Sequence, residues 1–177
     1  MGGKTLVIGG IRSGKTALAE KAAAESGSKV VYVATATAGD EEMARRIDRH
    51  RSLRPSHWGL EEEPTALGQV LDRQAESVDP PCLLVDCMSL WISNLLFAGD
   101  EMFRIEREAF LAALEQYPGS VVIVSNEVGL GTIGMDSLTR RFCNEIGLLN
   151  QELGARCHRV LMSVAGLPLT LKEELPY

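Results

Sequence analysis

Histidine, aromatic side chains and paired cysteines are all scarce in this chain, and positive charge is in deficit. The 177 residues include three His, only 5% are Phe, Trp or Tyr, and 18 Lys and Arg face 24 Asp and Glu, a formal net charge of −6. That acidic balance excludes a dedicated polyanion binder, which needs a basic excess. The four cysteines, Cys82, Cys87, Cys143 and Cys157, make no CxxC pair and no Cys/His zinc spacing, so the common redox and structural-zinc arrangements are excluded. Cys82 and Cys87 bracket an apolar run and read as reduced core thiols. No stretch reaches the roughly 18 apolar residues of a membrane span. The start, Met1-Gly2-Gly3-Lys4-Thr5-Leu6, lacks the charged, apolar and small-residue succession of a secretory signal. A cytoplasmic location is the expectation. Any anion site in such a chain must be a local concentration of positive charge.

What is present is a globular composition, 45% hydrophobic with 17 Gly and 7 Pro, at a length suited to one domain over residues 1–177. Thr5–Ile8 is a short β-branched run closed by Gly9-Gly10, a buried strand ending in a turn. Further strands are expected at Lys29–Ala34, Cys82–Val85, Ser120–Val124 and Arg159–Val164, with a short edge strand at Pro168–Lys172. Helices are expected at Lys15–Glu25, Asp40–Arg51, Pro64–Ala75, Ser89–Phe97, Glu101–Gln116 and Asp136–Leu153. The Pro64 helix is expected to open on proline in its first turn. Strands alternating with helices predict an α/β sandwich with a mainly parallel sheet.

Residues 9–16 read GGIRSGKT, so Gly9, four residues and then Gly14-Lys15-Thr16 match the Walker A pattern. Glycines let successive backbone N–H groups turn inward around phosphate oxygens, and the following helix adds its positive end. Lys15 can reach β- and γ-phosphates and the Thr16 hydroxyl can ligate Mg²⁺. The bare pattern should arise by chance in on the order of one chain in a hundred of this size. Here it also follows a strand and opens a helix, which makes it specific. The fold expectation is therefore a P-loop NTPase, RecA-like three-layer sandwich. The NKxD and DxxG motifs of switch GTPases are absent, which disfavours a regulatory GTPase. Asp86, at the end of the Cys82–Val85 strand, is a candidate Walker B carboxylate near Mg²⁺ or else a helix cap.

The local positive charge lies in residues 45–54, where Arg45, Arg46, Arg49, Arg51 and Arg54 surround His50. Arginine forks match phosphate geometry. Arg46 and His50 are four apart and share a helix face. His50 has two readings. It continues the spacing of Met43 and Ile47, so its ring could pack under a core edge. Alternatively, neighbouring arginines disfavour its cationic form, leaving the neutral imidazole that a nucleophile at phosphorus requires. His57 and His158 show no partner pattern and read as surface or core residues.

These residues together resemble a known family. GGIRSGKT at 9–16, VATAT at 33–37, DEEMARRIDRHRSLRPSHW at 40–58, LLVDCMSLWISNLLF at 83–97, SNEVG at 125–129 and RRFCNEIGLLNQ at 140–151 look like the bifunctional adenosylcobinamide kinase/adenosylcobinamide-phosphate guanylyltransferase of cobalamin biosynthesis. The resemblance is colinear over nearly the whole chain. It implies two reactions: an NTP (ATP or GTP) phosphorylates the aminopropanol hydroxyl of adenosylcobinamide, and GTP guanylylates a histidine, which passes GMP to adenosylcobinamide phosphate. The family nucleophile falls on His50, with Lys15 catalytic beside it. Its nucleotide contacts fall on Gly9, Gly10, Ile11, Arg12, Ser13, Gly14, Lys15 and Thr16. They continue on Ala34, Thr35, Ala36, Arg51, Ser52, Leu53, Arg54, Glu62 and Asp86, with Thr16 and Asp86 as metal contacts. The Glu62 contact rests on the resemblance alone. Glu127, beyond the Ser120–Val124 strand, either contacts corrinoid or orders a loop. The family also implies a homo-oligomer, a propeller-like trimer.

One departure is Cys143-Asn144, where the family often shows Arg-Asp; a charge pair is lost in the long late helix. Competing readings are a guanylyltransferase without kinase activity, a plain P-loop small-molecule kinase with a structural His50, and a non-enzymatic nucleotide-binding regulator.

Overall fold

The computed structural model describes residues 2–36 and 55–174. Among these residues seven strands form one sheet: β1 (Lys4–Gly9), β2 (Val30–Ala34), β3 (Gly59–Glu62), β4 (Cys82–Asp86), β5 (Val121–Asn126), β6 (Arg159–Val164) and β7 (Leu167–Glu173), in the order β3-β2-β4-β5-β1-β6-β7. All pairings are parallel except β6 with β7, which close an antiparallel hairpin. The helices are α1 (Lys15–Ala24), α2 (Leu67–Ala75), α3 (Met88–Ala98), α4 (Asp100–Gln116) and α5 (Ser137–Arg156). The expected helix at Asp40–Arg51 lies outside the described residues.

Strands covered on both faces read as nearly continuous apolar runs, and these do. Leu6, Ile8, Val33, Leu83, Val85, Val121 and Ile123 face a core shared with α2 to α5. The alternate residues Val7, Val30, Tyr32, Leu84, Val122 and Val124 face α1 through Ala19 and Ala23. The result is the three-layer P-loop sandwich expected from the sequence. β5 stands between β1 and β4, so the strand feeding the glycine loop and the strand ending in Asp86 are one strand apart.

Two local expectations are corrected. Strand β3 at Gly59–Glu62 was not foreseen; it pairs with β2 from Val31↔Gly59 to Ala34↔Glu62. The helix expected from Pro64 starts instead at Leu67. The Glu63 carboxylate accepts the N–H groups of Thr65 (2.9 Å) and Ala66 (2.8 Å). That turn satisfies the donors and delays the helix by about one turn. Trp91 on α3 then donates to Thr65 O at 2.6 Å and meets Phe110 of α4 edge-on at 5.1 Å, fastening α3 to α4 and to the turn that leads into α2. Gly68 allows the α2–α4 approach, since a Cβ there would stand 2.9 Å from the Ala109 carbonyl carbon.

Candidate functional site

The phosphate loop leaves β1 at its carboxyl end and enters α1. A Cβ at Gly9 would collide with the Ser13 hydroxyl and stand 2.7 Å from Ser163 O, so only glycine fits there. Gly14 has φ 93° and Arg12 has φ 53°, placing both in the left-handed region that curls a loop back on itself. Ser13 N donates to Gly10 O at 3.3 Å, and Lys15 Nζ donates to the same carbonyl at 3.0 Å. Ile11, Arg12 and Gly14 are exposed, whereas Ser13 is buried. The loop is held from behind by the β6–β7 hairpin. Ser13 O accepts from Ser163 Oγ at 2.7 Å and from Gly166 N at 2.8 Å.

Asp86 ends β4 and is half-buried. Thr16 Oγ1 stands 3.4 Å from Asp86 Oδ2, and Tyr32 Oη donates to the same oxygen at 2.8 Å. Among the described residues no group of three His, Cys, Asp or Glu could hold an ion unaided. Mg²⁺, however, is a hard cation usually bound by one or two protein oxygens plus substrate phosphates. The Thr16 hydroxyl and Asp86 carboxylate at the loop's mouth fit that donor set. The neighbouring Cys87 thiol is pushed up to about 11, chiefly by burial and secondarily by the Asp86 charge. That shift favours the protonated thiol near neutral pH.

Of the other nucleotide-site candidates, Ala34, Thr35, Ala36 and Glu62 gather at the same end of the sheet. Ala34 pairs with Glu62 on one side and Asp86 on the other. Glu62 is exposed, and Ala34 and Ala36 are half-buried. Thr35 is fully buried. Its Oγ1 donates to Cys87 O and accepts from Cys87 N, both at 2.8 Å, and its N–H donates to Asp86 O at 3.2 Å. Its side chain thus braces the Asp86–Cys87 backbone instead of facing outward. Asn94 on α3 locks the same corner by donating to Thr35 O and Pro64 O, each at 2.9 Å.

Glu127 N donates to Gly9 O at 3.1 Å, and its carboxylate accepts from Gly129 N at 2.8 Å. Of its two readings, ordering a loop has the observed bonds. His50, Arg51, Ser52, Leu53 and Arg54, with Arg45, Arg46 and Arg49, lie outside the described residues. His57 is exposed, and His158 is half-buried with Nδ1 accepting from Lys4 N at 3.1 Å. Cys82 and Cys157 are buried, Cys87 and Cys143 half-buried, and all four are free. Asn144, at the departure from the family pattern, lines a cleft of about 330 Å³ with Ile133, Gly134, Met135 and Arg140.

Sequence reasoning missed Tyr32, Ser163, Gly166 and Asn94. The one available signal was Tyr32, a hydroxyl-bearing residue inside the otherwise apolar KVVYVA strand. No helix among the described residues is long and apolar enough to cross a membrane.

The model of the family described as cobinamide kinase / cobinamide phosphate guanyltransferase matches residues 5–171. The chain is 51% identical over 172 residues to the bifunctional adenosylcobalamin biosynthesis protein CobP of Pseudomonas aeruginosa, spanning 97% of this chain and 98% of that protein. It is 34% identical over 181 residues to the bifunctional adenosylcobalamin biosynthesis protein CobU of Escherichia coli, spanning 94% of this chain and 98% of that protein. Among solved structures, that of the RadB recombinase is similar with a TM-score of 0.49 and 23% identity, over 90% of this chain and 73% of that one. With a family model matched over most of its length and a relative identical at half its positions, the chain belongs to the cobinamide kinase / cobinamide phosphate guanyltransferase family.

Proposed function

We propose that this chain performs both reactions of its family on one nucleotide-binding edge, phosphorylating adenosylcobinamide and then converting the phosphate to adenosylcobinamide-GDP. The observation that carries the reading is the meeting of Thr16 and Asp86 at the mouth of the phosphate loop. In the kinase reaction the aminopropanol hydroxyl attacks the γ-phosphorus of ATP or GTP and loses its proton, and the bond from that phosphorus to the β-phosphate oxygen breaks to release ADP or GDP. Lys15 and the loop N–H groups hold the phosphates in line. In the second reaction a ring nitrogen of His50 attacks the α-phosphorus of GTP and pyrophosphate leaves. The phosphate oxygen of adenosylcobinamide phosphate then attacks the same phosphorus, and the P–N bond breaks to release His50. Splitting the transfer means that GTP and the large corrinoid need not be aligned at once.

Mg²⁺, when bound, neutralises charge on the phosphates. Thr16 and Asp86 would be its protein contacts. Gly9, Gly10, Ile11, Arg12, Ser13, Gly14, Ala34, Thr35, Ala36 and Glu62 would form the wall of the nucleotide site, with Thr35 acting through the backbone it braces. Arg51, Ser52, Leu53 and Arg54 would bring further contacts from beside His50. All seven described strands join one sheet, which supports one domain, and the free thiols fit a cytoplasmic location. The corrinoid must then lie across the surface or between subunits of a homo-oligomer, a trimer in this reading.

The test is covalent labelling with Mg²⁺ and α-labelled GTP. We expect label on the chain that is lost in acid, retained in alkali, and absent from His50→Ala. An unlabelled wild type sinks the histidine pathway; label from γ-labelled nucleotide would indicate a phosphohistidine enzyme instead.

A further inference from the structure

Tyr32 is a polar-tipped side chain in the middle of a buried strand, and only 4% of it is exposed. Strand alternation explains where its ring goes. Tyr32 sits beside Leu84 and Ala34 beside Asp86 in the β2–β4 register, so Tyr32, Leu84 and Asp86 project to one face of the sheet. That is the α1 face, where the ring packs in the cluster of Val7, Ala19 and Leu84. From there the phenol reaches diagonally, one pleat on, to Asp86 Oδ2 at 2.8 Å. The Thr16 hydroxyl approaches that same oxygen at 3.4 Å. Neither bond uses Oδ1. Two hydroxyls from two different elements thus converge on one oxygen of a strand-end carboxylate and fix its rotation about the Cβ–Cγ bond.

We propose that Tyr32 is a positioning residue for divalent-cation binding: its hydroxyl orients the Asp86 carboxylate so that Oδ1 is presented to the cation shared with the nucleotide. The inference rests on the reading of Thr16 and Asp86 as the cation's protein contacts. Outer groups that orient a ligating carboxylate govern metal affinity, and their removal costs about ten-fold or more. A phenol is suited to this place because its ring belongs to the core while its single donor lies at the site. Phenylalanine at 32 would preserve the first function and delete the second.

The experiment titrates Mn²⁺ into wild type, Tyr32→Phe and Asp86→Asn, each with a non-hydrolysable GTP analogue, reading free Mn²⁺ by electron paramagnetic resonance. Thermal melts without metal and analogue binding without metal are measured alongside. The expected result is a Mn²⁺ affinity about ten-fold weaker for Tyr32→Phe, with metal-free analogue affinity and melting temperature close to wild type. Wild-type Mn²⁺ affinity in Tyr32→Phe, with a large loss in Asp86→Asn, overturns the role of Tyr32 alone. Unchanged affinity in Asp86→Asn overturns the cation reading beneath it. A Tyr32→Phe protein that weakens metal-free analogue binding by the same factor shows a general packing role, which also overturns the proposal.

Discussion

Glu106 is an acid in the wrong solvent. It lies on α4 with only 9% of its surface exposed, and burial raises its pKa above the ordinary carboxylate value, with the charge of Glu63 adding to the shift. The folded chain therefore holds a proton on Glu106 at pH values where the unfolded chain has lost it. Between the two pKa values stability falls as pH rises, and above the folded value the whole cost of a buried charge is present. Glu106→Gln is expected to raise the melting temperature at pH 7. The gain should shrink as the pH falls below the ordinary carboxylate range. Equal gains at pH 4 and pH 7, followed by circular dichroism, would mean that the carboxylate charge is not the cause. The residues that make contact chemistry were legible in the sequence where they are contiguous, as in Gly9–Thr16. Tyr32 and Asn94 were not, because their partners Asp86, Thr35 and Pro64 stand 54, 59 and 30 positions away. Only the sheet register brings them together.

At the scale of elements, the β6–β7 hairpin is part of the phosphate site although it carries no recognised motif. Ser163 Oγ and Gly166 N both donate to Ser13 O, and a Cβ on Gly14 would stand 3.0 Å from the Gly166 Cα. The turn therefore presses backbone against backbone, and Gly166, at φ 79°, supplies the conformation that permits it. Removing one of the two bonds in Ser163→Ala leaves Ser13 O with the Gly166 donor alone. A net hydrogen bond of about 1 kcal/mol corresponds to roughly five-fold in an equilibrium. Nucleotide affinity is expected to weaken by about that factor in a fluorescence titration, while the affinity for cation at saturating nucleotide stays put. An unchanged nucleotide affinity would show that the loop keeps its shape without the brace. The hairpin's two strands were readable, as a run at Arg159–Val164 and a short edge strand at Pro168–Lys172, but their pairing into a hairpin was not. β3 was not, because Gly59-Leu60-Glu61-Glu62 contains residues depleted in strands. It is held by its pairing with β2, by Gln74 donating to Glu61 at 3.1 Å, and by the Arg73–Glu61 ion pair. Those are tertiary contacts that override local preference.

For the whole molecule, strand order sets a gradient of stability. Among the described residues, β5, β1, β4, β2 and β6 each have a neighbour on both sides, whereas β3 and β7 have one. Val121, Ile123 and Val124 are fully buried, but Leu167, Leu169 and Leu171 of β7 are 71%, 55% and 54% exposed. The parallel α/β arrangement could be read from alternating apolar strands and helices. The difference between centre and edge could not, since β7 is as rich in leucine as a core strand. Pro168 is consistent with its edge position, because proline cannot donate to a further strand. Amide exchange should therefore be slowest in β5 and β4, near the rate set by global unfolding, and faster by at least about 100-fold at the outward amides of β7 and in β3. Hydrogen exchange followed by mass spectrometry across a dilution series decides what the leucine row faces. Fast exchange in β7 at every concentration marks a solvated edge. Protection in β7 that matches β5 and falls on dilution would instead show a second copy of the chain covering it, and would place a subunit contact next to the hairpin that braces the phosphate loop.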